Sequence, residues 1–200
     1  QHIVEAFERR VGQLAWMAPA TKQQAVAKLK ALYVGIGYPD RWIEYTGLKI
    51  DPADAVGNVM RAEEFLYRRA LAKLGRPVDR TEWCMIAQIV NAVNMPMQNA
   101  LDFPAGILQP PFFDLNVPDA VNYGSIGAVI GHEISHAFTG PGRRIDSLGR
   151  ARDWWTPADS EAFAAIARRL MDQYGTYEAA PGLRLDGART LGENIGDLAG

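Results

Sequence analysis

Two histidines and a glutamate lie within five residues of this chain, in the segment Gly131-His132-Glu133-Ile134-Ser135-His136. Residues four apart share one face of an α-helix, so His132 and His136 can direct ring nitrogens at a single ion while Glu133 projects beside them. The preceding residues 123–130 are small and mostly apolar, which is typical of a buried helix. Unpaired imidazoles and a carboxylate would be costly to desolvate there, and a bound metal removes that cost. The segment therefore predicts a metal-binding helix in the centre of the fold.

A second acidic pair supplies a candidate for the third ligand. Glu193 and Asp197, in Gly192-Glu193-Asn194-Ile195-Gly196-Asp197, are also four residues apart and would share a helical face. Catalytic zinc takes three protein ligands and keeps a fourth position open, so Glu193 is predicted to coordinate one Zn²⁺ together with the two histidines. Asp197 is then placed to accept the second ring hydrogen of a ligating histidine. Taken alone, the pair is equally typical of a solvated acidic face, and its assignment depends on the histidine helix.

Composition indicates a globular chain and excludes several classes of partner. The 200 residues are 48% hydrophobic and 22% charged, with a net charge of −2 and no block of like charge. This pattern points neither to nucleic acid nor to membrane contact from these residues. Cys84 is the single cysteine, which rules out an internal disulfide and argues against a structural zinc site rich in cysteine. Because the chain starts with Gln1 and stops at Gly200 within an expected helix, it is interpreted as an internal piece of a longer protein.

Helix signals dominate the first eighty residues. Thr21-Lys22-Gln23-Gln24 has the form of a capping box, and the helical spacing that follows is broken at 35–39. Asp51-Pro52-Ala53-Asp54 predicts a second helix that ends at Gly75.

Strand and loop signals follow. The apolar runs 86–93 and 100–103 predict two short strands, and the consecutive prolines in 109–113 predict a rigid loop. Thr156-Pro157-Ala158-Asp159 predicts a helix running to about Tyr174. The expected fold class is α+β, mainly α with a small β-sheet.

Several motifs in a fixed order resemble the neprilysin-like zinc peptidases, the M13 family. The resemblance covers nearly the whole chain, with weaker similarities at Trp16-Met17, Thr21-Lys22, 37–39 and Glu82-Trp83. The motifs that carry it are Asn91-Ala92, Phe103-Pro104-Ala105-Gly106-Ile107-Leu108-Gln109-Pro110-Pro111-Phe112-Phe113, Asn122-Tyr123-Gly124, 132–136, Asp153-Trp154-Trp155-Thr156 and Leu191-Gly192-Glu193-Asn194-Ile195.

The resemblance implies a fold and a set of site residues. It implies a thermolysin-like zincin core at residues 81–200, truncated at its C-terminus, and part of a helical lobe and linker at residues 1–80. The family's zinc ligands match His132, His136 and Glu193, its general base matches Glu133, and its aspartate behind a zinc-binding histidine matches Asp197. Its Asn-Ala pair, which binds the substrate backbone from an edge strand, matches Asn91 and Ala92. From the residues alone, Asn91 can also be a turn residue.

The implied activity is zinc-dependent endopeptidase hydrolysis of small peptides. Zinc would polarise the scissile carbonyl and activate a water, and Glu133 would take the water proton and pass it to the leaving amine. The alternative is an inactive zinc-binding pseudo-peptidase that holds peptides without cutting them. Family members usually act outside the cytoplasm, which implies a periplasmic, secreted or membrane-anchored location.

Departures from the family pattern concern the cleft. Val93 and Asn94 stand where aromatic residues are usual, Thr139 and Gly140 replace two acidic residues, and Gly196 replaces alanine. The family's transition-state histidine and arginine would lie beyond Gly200. The chain by itself is therefore expected to cleave peptides weakly or not at all and to pack against N- and C-terminal parts of its parent.

Overall fold

The computed structural model describes residues 1–200 and contains seven α-helices, a three-stranded sheet and a separate two-stranded pair. The prediction of a mainly α chain with a small β-sheet is confirmed. The helices are α1 His2–Gln13, α2 Pro19–Lys30, α3 Ala55–Leu71, α4 Asp119–Gly124, α5 Ile126–His136, α6 Pro157–Tyr174 and α7 Leu191–Ala199. The strands are β1 Tyr33–Gly37, β2 Val93–Met95, β3 Ala100–Pro104, β4 Glu178–Ala180 and β5 Leu183–Arg184.

The three-stranded sheet has the order β1-β3-β2, with β1 parallel and β2 antiparallel to the central β3. The prediction of a strand in the second apolar run is confirmed by β3. The prediction for 86–93 is wrong in position, because β2 begins only at Val93 and includes Asn94 and Met95, which were expected to separate the strands. Strand β1 was missed, because its two glycines resemble a helix stop and its pairing with β3 involves residues far along the chain.

Helix boundaries follow the sequence signals unevenly. Helix α6 begins after Thr156 and ends at Tyr174, before Gly175, as predicted. The structure adds a capping box that the sequence analysis did not identify, formed by Thr156 and Asp159. Helix α3 begins later than expected, with the side chain of Asp54 accepting a hydrogen bond from the Gly57 amide, and it ends at Leu71 rather than at Gly75.

The predicted capping box at Thr21 is wrong. Helix α2 already begins at Pro19, and the Thr21 hydroxyl instead donates to Oδ2 of Asp159, 2.5 Å away. The other oxygen of Asp159 accepts from the Ala18 amide at 2.7 Å. A single buried carboxylate therefore connects the start of α2 to the start of α6. Burial acts to raise the pKa of Asp159, but these hydrogen bonds and those from Thr156 outweigh it and lower the pKa.

The hydrophobic core surrounds the histidine helix α5. Ile134 is fully buried, and helices α1 and α4 pack against α5. The core residues come from both sides of residue 80, and the division into ranges 1–80 and 81–200 stays a prediction. The core members are Val11, Met17, Ala25, Leu29, Ala92, Leu101, Phe103, Ile134, Ala137, Phe138, Trp154 and Trp155. No helix has both the length and the apolar character needed to cross a lipid bilayer.

Candidate metal centre

Helices α5 and α7 pack closely because glycines lie at their contact. A Cβ atom added at Gly131 of α5 would lie 2.9 Å from Cα of Gly200, and one added at Gly196 of α7 would lie 2.6 Å from Nδ1 of His132. Both distances are shorter than carbon side chains normally allow. Because these glycines have no side chain, α7 lies close enough to α5 for Glu193 to approach His132 and His136.

Three predicted ligand atoms converge at this contact. Nε2 of His132 and Nε2 of His136 are 2.9 Å apart, and Oε2 of Glu193 lies 3.3 Å from the first and 3.7 Å from the second. A tetrahedral zinc site with bonds of about 2.0–2.1 Å separates its ligand atoms by about 3.3–3.4 Å. The observed separations bracket that value, and two imidazoles with one carboxylate are a donor set that zinc favours. The residues present therefore fit a zinc ion.

Asp197 lies behind the first histidine. Its Oδ1 is 2.9 Å from Nδ1 of His132, on the side of the ring away from Glu193. Neutral imidazole carries one N–H, and an acceptor at Nδ1 favours the tautomer that keeps the lone pair on Nε2. The contact with Asp197 therefore favours a ring in which Nε2 carries the lone pair that a metal would bind.

Glu133 lies beside the ligands in a desolvated position. Glu133 is 7% exposed. Burial, together with the negative charge of Glu193, raises the pKa of its carboxyl group, and the nearby His132 opposes this shift. The backbone carbonyl of Glu133 accepts a hydrogen bond from the side-chain amide of Asn94 on β2, at 2.9 Å. Asn94, noted in the sequence only as a departure from the family, therefore connects the sheet edge to the helix that carries Glu133.

Burial also shifts the second histidine. Desolvation lowers the pKa of His136, and the charges of Glu193 and Asp197 oppose that shift. The net direction favours neutral imidazole, which is the form that binds a metal.

The predicted substrate-binding pair lies at the cleft but not within a strand. Asn91 and Ala92 directly precede β2, the edge strand of the sheet, and both line a cleft of about 460 Å³ that also contains the predicted ligands. Asn91 is exposed, and its side-chain oxygen accepts from the Ala92 amide at 2.9 Å. Ala92, by contrast, is buried in the core.

Residues that follow α5 also line the cleft. Thr139, Gly140, Pro141 and Gly142 line it. The Thr139 hydroxyl donates to the carbonyl of Ser135 at 3.2 Å, so it satisfies a backbone oxygen at the end of the helix. The bond is local, because the two residues are four positions apart.

Two family models match the chain, and one of them includes this site. The model of peptidase family M13 matches residues 91–200, more than half of the chain, and a second M13 model matches residues 1–39. The chain belongs to peptidase family M13. This membership confirms the resemblance inferred from the motifs.

Curated M13 relatives match along the whole length of the chain. Neutral endopeptidase of Lactobacillus helveticus is 39% identical over 202 residues, and neprilysin-2 of Drosophila melanogaster is 40% identical over 208 residues. These matches include 100% and 99% of the chain, but only 31% and 27% of the relatives. The chain thus spans less than a third of the length of these M13 proteins.

Solved M13 structures share the fold. The crystal structure of the Mycobacterium tuberculosis zinc metalloprotease ZMP1 in complex with an inhibitor superimposes with a TM-score of 0.91 at 47% identity, over 98% of this chain and 31% of that one. The PepO structure from Lactobacillus rhamnosis gives a TM-score of 0.88 at 37% identity, again over 98% of this chain and 31% of that one. The predicted fold of a neprilysin-like peptidase is therefore confirmed.

Proposed function

We propose that the protein is a zinc-dependent endopeptidase that hydrolyses small peptides, with His132, His136 and Glu193 as the zinc ligands. The observation that carries the proposal is the convergence of three ligand atoms from two helices, at separations of 2.9, 3.3 and 3.7 Å. Membership of M13 and the zinc metalloprotease among the similar structures support it.

Glu133 and Asp197 have different proposed roles in the hydrolysis. Bound zinc would supply a Lewis acid that polarises the scissile carbonyl and makes a water more acidic. Glu133 is proposed to accept the proton of the attacking water and to pass it to the leaving amine, a role that its position beside the ligands supports. Asp197 is proposed to hold His132 in the tautomer that binds the metal.

An extended peptide is the proposed substrate form. Strand β2 is at the edge of its sheet, and an edge strand can add a further strand through its free backbone groups. The side-chain NH₂ group of Asn91 and the backbone at Ala92 are proposed to bind the peptide backbone at the end of this strand. Val93 and Asn94 are smaller than the aromatic residues usual here, so we expect a wider cleft on this side.

Two broader proposals follow from the family. We propose that the protein acts outside the cytoplasm, as secreted or membrane-anchored relatives would, and localisation of the tagged natural protein in its own cell would test this. We also propose that residues 1–80 belong to a helical lobe and linker and residues 81–200 to the zincin core. Limited proteolysis of the natural protein, with cleavage near residue 80, would test this division.

The decisive experiment replaces Glu133 by Gln in the natural full-length protein. Zinc content and peptide binding should stay at the wild-type level, while kcat on a short fluorogenic peptide should fall by at least about 100-fold, because the general base is lost. Glu161→Gln, on α6 away from the cleft, is the matched control and should leave kcat unchanged. A Glu133→Gln variant that cuts the peptide at the wild-type rate would contradict the assigned base, and a wild-type protein that binds peptide without cutting would favour a pseudo-peptidase.

A further inference from the structure

Lys28 of helix α2 carries its charged group inside the protein. The residue is 1% exposed, and its Nζ lies 2.6 Å from the carbonyl oxygen of Ala137 and 2.7 Å from those of Gly142 and Ile145. An ammonium group has three N–H donors, so these three carbonyls use all of them. Burying a charge without a bonded carboxylate is costly. In return, the ammonium group makes three hydrogen bonds to backbone carbonyls that an apolar side chain could not make.

All three carbonyls belong to one segment, residues 137–145, which we call the post-helix segment. It starts immediately after His136 and supplies the wall of the cleft that includes Thr139 and Gly140. The segment also folds back on the helix end, because a Cβ atom added at Gly142 would lie 1.9 Å from the carbonyl oxygen of His136. Its position is therefore coupled to the backbone of a predicted zinc ligand.

The ammonium lies where the end of α5 needs it. The last carbonyls of a helix have no partner within the helix, and the negative end of the helix dipole favours a cation. Lys28 satisfies the carbonyl of Ala137, the residue after the last helical position, and its Nζ lies 5.7 Å from the centre of the Phe138 ring. The same group reaches the middle and the end of the segment at Gly142 and Ile145.

Lys28 is itself held in place and is charged near neutral pH. Its backbone carbonyl accepts a hydrogen bond from the side chain of Asn99, which is also buried. Burial lowers the pKa of Lys28 to about 8, against the attraction of the Asp146 carboxylate. Asp146 is bonded to Arg150 and lies close to Arg152, so its own charge is retained.

We propose that Lys28 is a positioning residue of the active site: its ammonium holds the post-helix segment in place and so shapes the cleft wall beside His136. The proposal rests on the proposed peptidase function. Lys28 is not among the residues that line the cleft, and it acts through the backbone of residues 137–145.

The test compares Lys28→Met with Lys30→Met in the natural full-length protein. Met matches lysine in length and removes the charge, and Lys30 is an exposed lysine on the same helix. A displaced wall weakens peptide binding, so Lys28→Met should raise KM for a short peptide by about tenfold or more, with a smaller fall in kcat. The Lys30→Met variant should keep the wild-type KM and kcat.

The split between KM and kcat separates positioning from simple loss of stability. A partly unfolded sample contains less active enzyme, which lowers the apparent kcat and leaves KM unchanged. An unchanged KM in a folded, zinc-loaded Lys28→Met variant would overturn the proposal. A wild-type protein without peptidase activity would instead contradict the proposed function.

A second measurement on the wild-type protein applies even where the variant does not fold. Hydrogen exchange at residues 138–145, corrected for intrinsic rates, should accelerate between about pH 7 and about pH 9.5, as Lys28 loses its proton. Burial acts to raise the pKa of Asp146, but its hydrogen bonds from Arg150 and Leu148 outweigh burial and lower the pKa, so this carboxylate keeps its charge over the range. Helix α6 is the internal reference and should not change. Equal protection of the segment at both pH values would overturn the proposal.

Discussion

Nδ1 of His132 lies 2.9 Å from Oδ1 of Asp197, and this contact joins the two helices that carry the predicted zinc ligands. Partners of this kind fix the orientation of a metal-binding imidazole and raise its basicity, and their loss typically lowers metal affinity by about 10–100-fold. Asp197 is largely exposed, so its replacement should affect the site much more than the fold.

Asp197→Asn should therefore lower zinc affinity by about 10–100-fold with little change in melting temperature. The amide keeps the size of the side chain but can present its NH₂ group to Nδ1, which favours the wrong tautomer. Competition with a chromogenic chelator measures the zinc affinity. Asp172→Asn, at an exposed position on α6, is the control. Equal zinc affinities in all three proteins would show that Asp197 does not orient His132.

Gly196→Ala should also weaken zinc binding. The added Cβ would lie 2.6 Å from Nδ1 and 2.7 Å from Cε1 of His132, so either the ring or helix α7 must move. A shift of this size misplaces a ligand atom, and we expect a loss of affinity of about tenfold or more. Gly192→Ala is a matched control on the same helix, because a Cβ there meets no atom within 4 Å. Wild-type affinity in Gly196→Ala would mean that α7 can move away from His132 at little cost.

Asp102→Asn should stabilise the protein at alkaline but not at acid pH. Asp102 on β3 is 0% exposed, neither carboxylate oxygen has a hydrogen-bond partner, and burial raises its pKa to about 6. Because the folded-state pKa lies above the ordinary value of 3.8, the contribution of Asp102 to stability is full below about pH 3.8 and is lost as the pH rises through 6. Above that pH the folded state contains a buried, unpartnered charge.

The expected gain in the free energy of unfolding is at most about 3 kcal/mol near pH 8 and close to zero near pH 4, at about 1.36 kcal/mol per pKa unit. Urea denaturation of the wild type, Asp102→Asn and the exposed-site control Asp172→Asn at the two pH values measures it. A gain of equal size at both pH values would show that Asp102 does not titrate near 6 and that packing causes the effect.

Some local features of the fold could be predicted from signals that act over one helical turn. Thr156-Pro157-Ala158-Asp159 and the stop at Gly175 predict α6 from neighbouring residues, and the observed helix follows them. The similar signal at Thr21 was misleading, because its hydroxyl bonds to Asp159, 138 residues away. A capping motif in the sequence indicates only which nearby backbone groups a side chain can reach. At Thr21 the buried carboxylate of Asp159, from another helix, is the partner instead.

The sequence by itself determined the family and the set of candidate residues for the metal site. Residues four apart lie on the same face of a helix, so the sequence alone predicts that the members of the pairs 132/136 and 193/197 face the same way. Only the tertiary structure decided how those pairs meet. The distance between α5 and α7 depends on glycines at their contact, the pairing of β1 depends on β3, and the wall beside His136 depends on Lys28. The physical reason is that these contacts join segments tens of residues apart, whose separation is set by close packing and not by the order of residues along the chain.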